Sequence, residues 1–302
     1  LQDFTIIFVP GIKPKPPPDL HRDLLLRCLS AGLSRGCPDA LSIVSEHPAR
    51  FRLCSWTYDF HGSHRNPALD IPGIERLLAN PDPTPEDIRE IESISRHFGR
   101  LTRALGDAYP TFGRWLAPDD LRLTLREARR YLLNRGGAAI PIREGLAAVL
   151  MPPAERGDRI MVLAHSFGSV IAYDTLWQLA HEDRSPVRID LLVTLGSPLS
   201  TRFVRRHVKG AHLAGPKRYP NNIRRWCNFA AKGEHVAFHP RLRPLFSEMI
   251  ELGLVEDIED RIDIYNHFHT EKGINPHKSY GYLAHTEVGK VVGDWVLEGY
   301  SS

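Results

Sequence analysis

A serine hydroxyl is the first group in this chain that is placed to do chemistry. The stretch Ile160-Met-Val-Leu-Ala-His-Ser-Phe-Gly-Ser-Val-Ile171 begins as an apolar run rich in β-branched residues and stops at Ala164-His-Ser-Phe-Gly168. A second apolar stretch, Val170 to Leu179, then starts at helical spacing. A strand that becomes a helix within so few residues holds its middle residue in a strained backbone conformation. Small residues two before and two after it, Ala164 and Gly168, let strand and helix approach. Ser166 is then lifted to the tip of the turn, its hydroxyl exposed and the positive end of the helix beneath it. That is a nucleophile elbow, with Ala in place of the first glycine of G-x-S-x-G.

A serine hydroxyl is a poor nucleophile at neutral pH and needs a base within hydrogen-bond reach. An imidazole suits because its pKa lies near the working pH, and a carboxylate must fix its tautomer. An elbow on a parallel sheet predicts the chain order serine, acid, histidine, each on a loop after a strand's carboxyl end. The acid is expected after the strand Arg225–Phe229, where Glu234 is the carboxylate of the loop Ala230-Ala-Lys-Gly-Glu-His-Val-Ala237. The histidine is expected after the last strand, with His277 first, His285 second, and His267 and His269 third. Rival acids are Asp190, at the wrong end of its strand, and Asp257, Asp260 and Asp263 in or before the last strand. Asp174 reads as structural, and His165 as pointing away from the site.

These residues require a frame. Phe4–Val9 is a continuous apolar run suited to a strand buried on both faces, closed by Pro10-Gly11. Leu20 to Leu33 carries helical spacing, and Phe51–Tyr58 alternates like a strand. Strands are also expected at Ile189–Leu195, Arg225–Phe229 and Arg261–Asn266, with a closing helix over Val288–Leu297. The alternation describes an α/β chain with a mostly parallel sheet flanked by helices. Residues 62–126 interrupt it, with prolines at 67, 72, 81, 83 and 85, then a helix to about Leu105 opened by Thr84-Pro-Glu-Asp87. A further helix begins near Asp119. The segment reads as a helical cap inserted into a single domain of residues 1–302, in which Tyr109, Phe112 and Trp115 line an acyl pocket or serve packing alone.

Taken together, Ile7-Phe-Val-Pro-Gly11, Ala164-His-Ser-Phe-Gly-Ser-Val-Ile-Ala-Tyr-Asp174, Leu195-Gly-Ser-Pro-Leu199, Trp226-Cys-Asn228 with Gly233-Glu-His-Val236, and Pro276-His-Lys-Ser-Tyr280 resemble the α/β-hydrolase superfamily, in particular its serine esterase and lipase-like members. These pieces span most of the chain outside the cap. The resemblance implies an α/β-hydrolase fold and cleavage of a carboxylic ester through an acyl-enzyme, without a cofactor. Relatives of this kind usually carry Asp where Glu234 stands, and His-Gly where Pro10-Gly11 stands. The oxyanion donors it implies are the N–H groups of Phe167 and Ile12. An acyltransferase or thioesterase would use the same triad, and a non-catalytic interaction module would keep the fold and lose it.

The 302 residues are 42% hydrophobic and 25% charged, an ordinary globular composition, and the formal charge of +3 argues against nucleic acid as the main partner. The expected partner is a small ester or lipid. Four cysteines without C-x-x-C spacing read as reduced thiols, which fits a cytoplasmic setting. No apolar run approaches the roughly 20 residues that span a bilayer. The basic stretch Thr201–Gly210, continuing through Lys217-Arg218 and Arg224-Arg225, reads as lying near the site. It is either a surface for an anionic head group or membrane, or a solvated loop face. His61-Gly-Ser-His64 and His267-Phe-His269 lack a residue that completes a metal site.

Overall fold

Strands of three to nine residues assemble into one parallel sheet. The computed structural model describes residues 3–105, 119–234 and 240–299, with side chains throughout except at 97–105 and 119–122. The strands are β1 (Phe4–Val9), β2 (Phe51–Leu53), β3 (Arg159–His165), β4 (Ile189–Leu195), β5 (Ile223–Ala231) and β6 (Asp257–Ile264). Their order is β2-β1-β3-β4-β5-β6, and every neighbouring pair is parallel. The longer helices are α1 (Pro18–Gly36), α2 (Pro38–Glu46), α3 (Ile71–Ala79), α4 (Pro85–Leu105), α5 (Asp119–Leu132), α6 (Ala139–Glu155), α7 (Gly168–His181) and α8 (Thr286–Glu298).

The two faces of the sheet are read directly from strand alternation. Phe4, Ile6, Phe8, Met161 and Leu163 join the core under α1, α2 and α8. Ile7, Val9, Ile160, Val162 and Ala164 join the core under α6 and α7. Each such large apolar side chain contributes roughly 1.5–3 kcal/mol by leaving water. Chain order reverses between β1 and β3, so the crevice beyond their carboxyl ends is a topological switch point, where ligands bind in open α/β sheets. Helices α1 and α8 approach at their backbones: a Cβ on Gly289 would stand 2.0 Å from the Gly32 carbonyl oxygen.

The second strand is shorter than its alternation suggests. It pairs with β1 at three positions, and after Cys54 the chain peels away into a short helix, Thr57–His61. Tertiary contacts override the pattern there, because Trp56 turns its indole N–H onto the Pro10 carbonyl at 3.0 Å. The last strand begins four residues earlier than expected, since an edge strand tolerates the polar Asp257 and Glu259 on its exposed positions. Between β2 and β3 the described chain is helical, with α4 opened by reciprocal bonds between Thr84 and Asp87. Tyr109, Phe112 and Trp115 lie outside the described residues. No helix among those described is long and apolar enough to cross a membrane.

The basic stretch after β4 does not form one surface near the switch point. Arg224 and Arg225 stand at the amino end of β5, paired with Glu256 at 2.8 Å and Glu298 at 2.5 Å, and Lys209 pairs with Glu182 at 2.6 Å. The stretch is divided because the connection from β4 returns the chain to the amino end of β5, at the opposite end of the strands.

Candidate active site

Ser166 has φ of 53°, a left-handed conformation that costs a non-glycine residue on the order of 1–3 kcal/mol. The surrounding chain holds it there. Its N–H continues the ladder by donating to the Leu195 carbonyl at 2.8 Å, and α7 starts two residues later. A Cβ on Gly168 would lie 2.3 Å from the Val9 carbonyl oxygen, so only glycine lets the helix start against β1. The Ser166 carbonyl accepts from Ser169 Oγ at 2.6 Å, and Ser169 Oγ lies 2.6 Å from Ser197 Oγ. With its own proton committed to Ser166, Ser169 accepts from Ser197, whose oxygen in turn accepts the Leu199 N–H at 3.2 Å. The elbow is thereby fastened to the loop after β4.

The serine is not an exposed tip. Its residue is 8% exposed, because the Gly11 loop folds over it so closely that a Cβ on Gly11 would stand 2.9 Å from Ser166 Cβ. His277 covers it from the other side. Ser166 Oγ–H donates to His277 Nε2 at 2.8 Å, and His277 Nδ1 meets Glu234 Oε1. A carboxylate on Nδ1 keeps that proton there and leaves Nε2 bare, the tautomer a general base requires.

Glu234 reaches this position because β5 ends in a tight turn at Lys232-Gly233, with Gly233 at φ 78°. Its side chain is 2% exposed and lies against Gly196, where a Cβ would come 2.3 Å from Oε1. His277 is carried by a loop whose backbone is tied down: its N–H donates to Asn275 Oδ1 at 3.1 Å, and buried Asn266 donates to the Lys278 carbonyl at 2.8 Å.

The structure thus brings Ser166, His277 and Glu234 together and leaves the other candidates elsewhere. His285 caps α8, accepting the Glu287 N–H at 3.1 Å, and burial pushes its pKa down to about 4. His267 contacts the Asn80 carbonyl, and His269 lies 3.2 Å from Asp87. Asp190 lies 3.6 Å from Arg224, Asp257 pairs with Arg243, and Asp260 accepts from Asn228 and from the Leu242 N–H. Asp263, at φ 69°, stays in β6. Asp174 is buried in α7, accepts the Lys209 N–H at 2.7 Å, and is raised to about 6 by desolvation.

Phe167 and Ile12 flank the serine at 4% and 3% exposure. Neither backbone N–H donates to a backbone acceptor among the described residues. Ile12 is held by its carbonyl, which accepts from His61 Nε2 at 2.5 Å, while His61 Nδ1 lies 3.3 Å from Glu127 on α5. His61 is therefore part of the wall of the site. His64 stacks on Tyr58 instead, and no cluster of three metal-binding side chains occurs among the described residues.

His165 departs from its expected direction. Its ring lies 4.9 Å from that of His277, and its Nε2–H donates to the His277 carbonyl at 2.7 Å. Burial first, then His277 and Lys15, hold its pKa well below the usual value, so the ring is a neutral prop. The signal in the sequence was its place as the last residue of β3, where side chains still alternate. Searches against known protein families, curated protein sequences and solved structures match nothing to this chain, so the site is read from its own geometry.

Proposed function

We propose that this chain is a serine hydrolase of α/β-hydrolase type that cleaves carboxylic esters through an acyl-enzyme, with residues 62–126 as a cap over the site. The observation that carries the reading is the continuous relay from Ser166 Oγ through both nitrogens of His277 to Glu234. A strained serine, a correctly tautomerised base and a buried acid rarely meet through packing alone.

The chemistry follows from those contacts. His277 Nε2 takes the Ser166 proton as Oγ forms a bond to the ester carbonyl carbon. The carbonyl oxygen becomes an oxyanion facing the N–H groups of Phe167 and Ile12, whose stabilisation in such sites is typically worth a few kcal/mol. The tetrahedral adduct collapses, the ester C–O bond breaks, and His277 returns its proton to the leaving alcohol. A water then gives a proton to His277 as its oxygen bonds to the acyl carbon; the bond from that carbon to Oγ breaks, His277 returns the proton to Oγ, and the acid leaves. Glu234 stays ionised and steadies the imidazolium formed in each half.

The test is labelling by a fluorophosphonate probe together with turnover of p-nitrophenyl esters of graded chain length. Wild type should label and turn over, and Ser166→Ala and His277→Ala should do neither. Folded wild type that stays unlabelled and inert would overturn the reading.

A further inference from the structure

A second group of charged residues stands near the relay and has no part in it: Lys15 and Lys278 both act on His165, whose ring lies 4.9 Å from that of His277. Lys15 lies three residues after Ile12, on the loop that closes over Ser166, and Lys278 directly follows His277. Asp70, 2% exposed, accepts from Lys278 Nζ at 2.5 Å and from Arg65 through both Nε and Nη2 at 3.2 Å. The Arg65 N–H also donates to the Lys15 carbonyl at 2.9 Å, which binds the two segments together. One carboxylate therefore serves two cations outright, and a third, the Lys15 ammonium, donates to the Lys13 carbonyl at 2.7 Å.

Positive charge is in excess around Asp70. The groups acting on half-buried Lys15 are Lys278, Arg65 and Lys13 against the single Asp70, and burial with Lys278 pushes Lys15 down to about 7. His21 on α1, 1% exposed, feels both Lys15 and Lys278, and its Nε2 has no hydrogen-bond partner among the described residues. A fold that wanted only a tether here would need Lys278 and Asp70. Crowding desolvated cations beyond that is unfavourable unless an anion completes the set. The donors are two ammonium groups and a planar guanidinium, which match the several oxygens of a phosphate or carboxylate.

We propose that Lys15, Lys278 and Arg65 form an anion subsite beside Ser166, so that the ester this chain cleaves carries a phosphate or carboxylate group. The substrate part of this inference rests on the hydrolase reading, whereas the anion site does not. An ester carrying such a group would be held with the reacting carbon over the serine, converting binding into orientation.

Two measurements on the full chain separate these statements. Thermal melting is compared in inorganic phosphate and in chloride at equal ionic strength, for wild type, Lys15→Gln and Lys15→Arg. Phosphate should raise the wild-type Tm by about 3 °C or more and the Lys15→Arg Tm nearly as much, with a shift under about 1 °C in Lys15→Gln. The ratio of kcat/KM for mono-p-nitrophenyl succinate over p-nitrophenyl butyrate should fall about 30-fold in Lys15→Gln, or about 2 kcal/mol. Glycerol phosphate and anionic phospholipid vesicles, compared as competitors, tell a soluble phosphate from a lipid head group. A phosphate shift that is absent in wild type, or equal in Lys15→Gln, overturns the subsite. An unchanged ratio with intact probe labelling overturns the substrate assignment alone. Absent labelling overturns the hydrolase reading and leaves the melting result to decide the anion site.

Discussion

The two ends of the sheet handle charge in opposite ways. At the amino ends of the strands, charged side chains close on one another: Arg50 with Asp3, Arg156 with Asp158, Arg225 with Glu298. These pairs are partly open to water and hold the rim of the sheet at little energetic consequence each. At the carboxyl ends, polar groups are buried and incompletely matched. Ser166 is strained, His165 Nδ1 has no partner among the described residues, and Asp70 takes both Lys278 and Arg65 while Lys15 stands near them. The amino-end rim is held by its own ion pairs, whereas the opposite rim carries the relay.

The comparison is broken most severely by Ser166→Ala, which should lower ester turnover by about 10^3-fold or more and abolish probe labelling. It should leave Tm unchanged or raised, since the variant loses no core packing; a collapsed fold would mean the serine is structural. Glu234→Ala should cost about 10^2- to 10^4-fold in kcat, as removal of the acid leaves the base unoriented. Gly196→Ala should act on kcat in the same direction by displacing that carboxylate. A Gly196→Ala enzyme with wild-type kcat would show that the contact with Glu234 is incidental.

Acid sharpens the contrast next. His285 is held to about 4 in the folded chain against an ordinary 6.5, so its neutral form is the one the fold accepts. Its contribution is fully present above about pH 6.5 and is lost as pH falls toward 4, on the order of 3 kcal/mol. His165 and His21 act in the same direction. Asp174, raised to about 6, opposes them over part of that range by favouring its protonated form. Denaturant titrations at several pH values should therefore show a shallower acid decline in His285→Asn, which keeps a helix cap without the titration; an identical decline would remove His285 from the account. The smallest effect belongs to the satisfied rim. Arg225→Ala should change stability by less than about 1 kcal/mol and leave labelling intact.

How far the sequence could be read follows the same division. The strand Phe4–Val9 and the elbow were legible because local pattern and tertiary environment agree there: every residue of β1 is buried, and the small residues flank the turn. The stretch Phe51–Tyr58 misled because alternation ignores Trp56 turning back onto Pro10. Glu234 and His277 stood out as the carboxylate and imidazole on loops after strands. The prop from His165, the bond from His61 to Ile12 and the cluster around Asp70 did not stand out, since each joins segments from 49 to 208 residues apart. Spacing along the chain carries no trace of such meetings.

The backbone contact between Gly32 and Gly289 has a consequence in time. Helix α1 follows the first strand, and α8 is the last helix among the described residues, so the face carrying Leu29 and Leu33 waits for a segment far along the sequence before it is covered. Such distant closure is entropically late. A chain ending just after His277 would hold every member of the relay and still lack the helix that lets its first third consolidate. It should emerge as a collapsed, protease-sensitive intermediate, with the chemistry written in full and nowhere to stand.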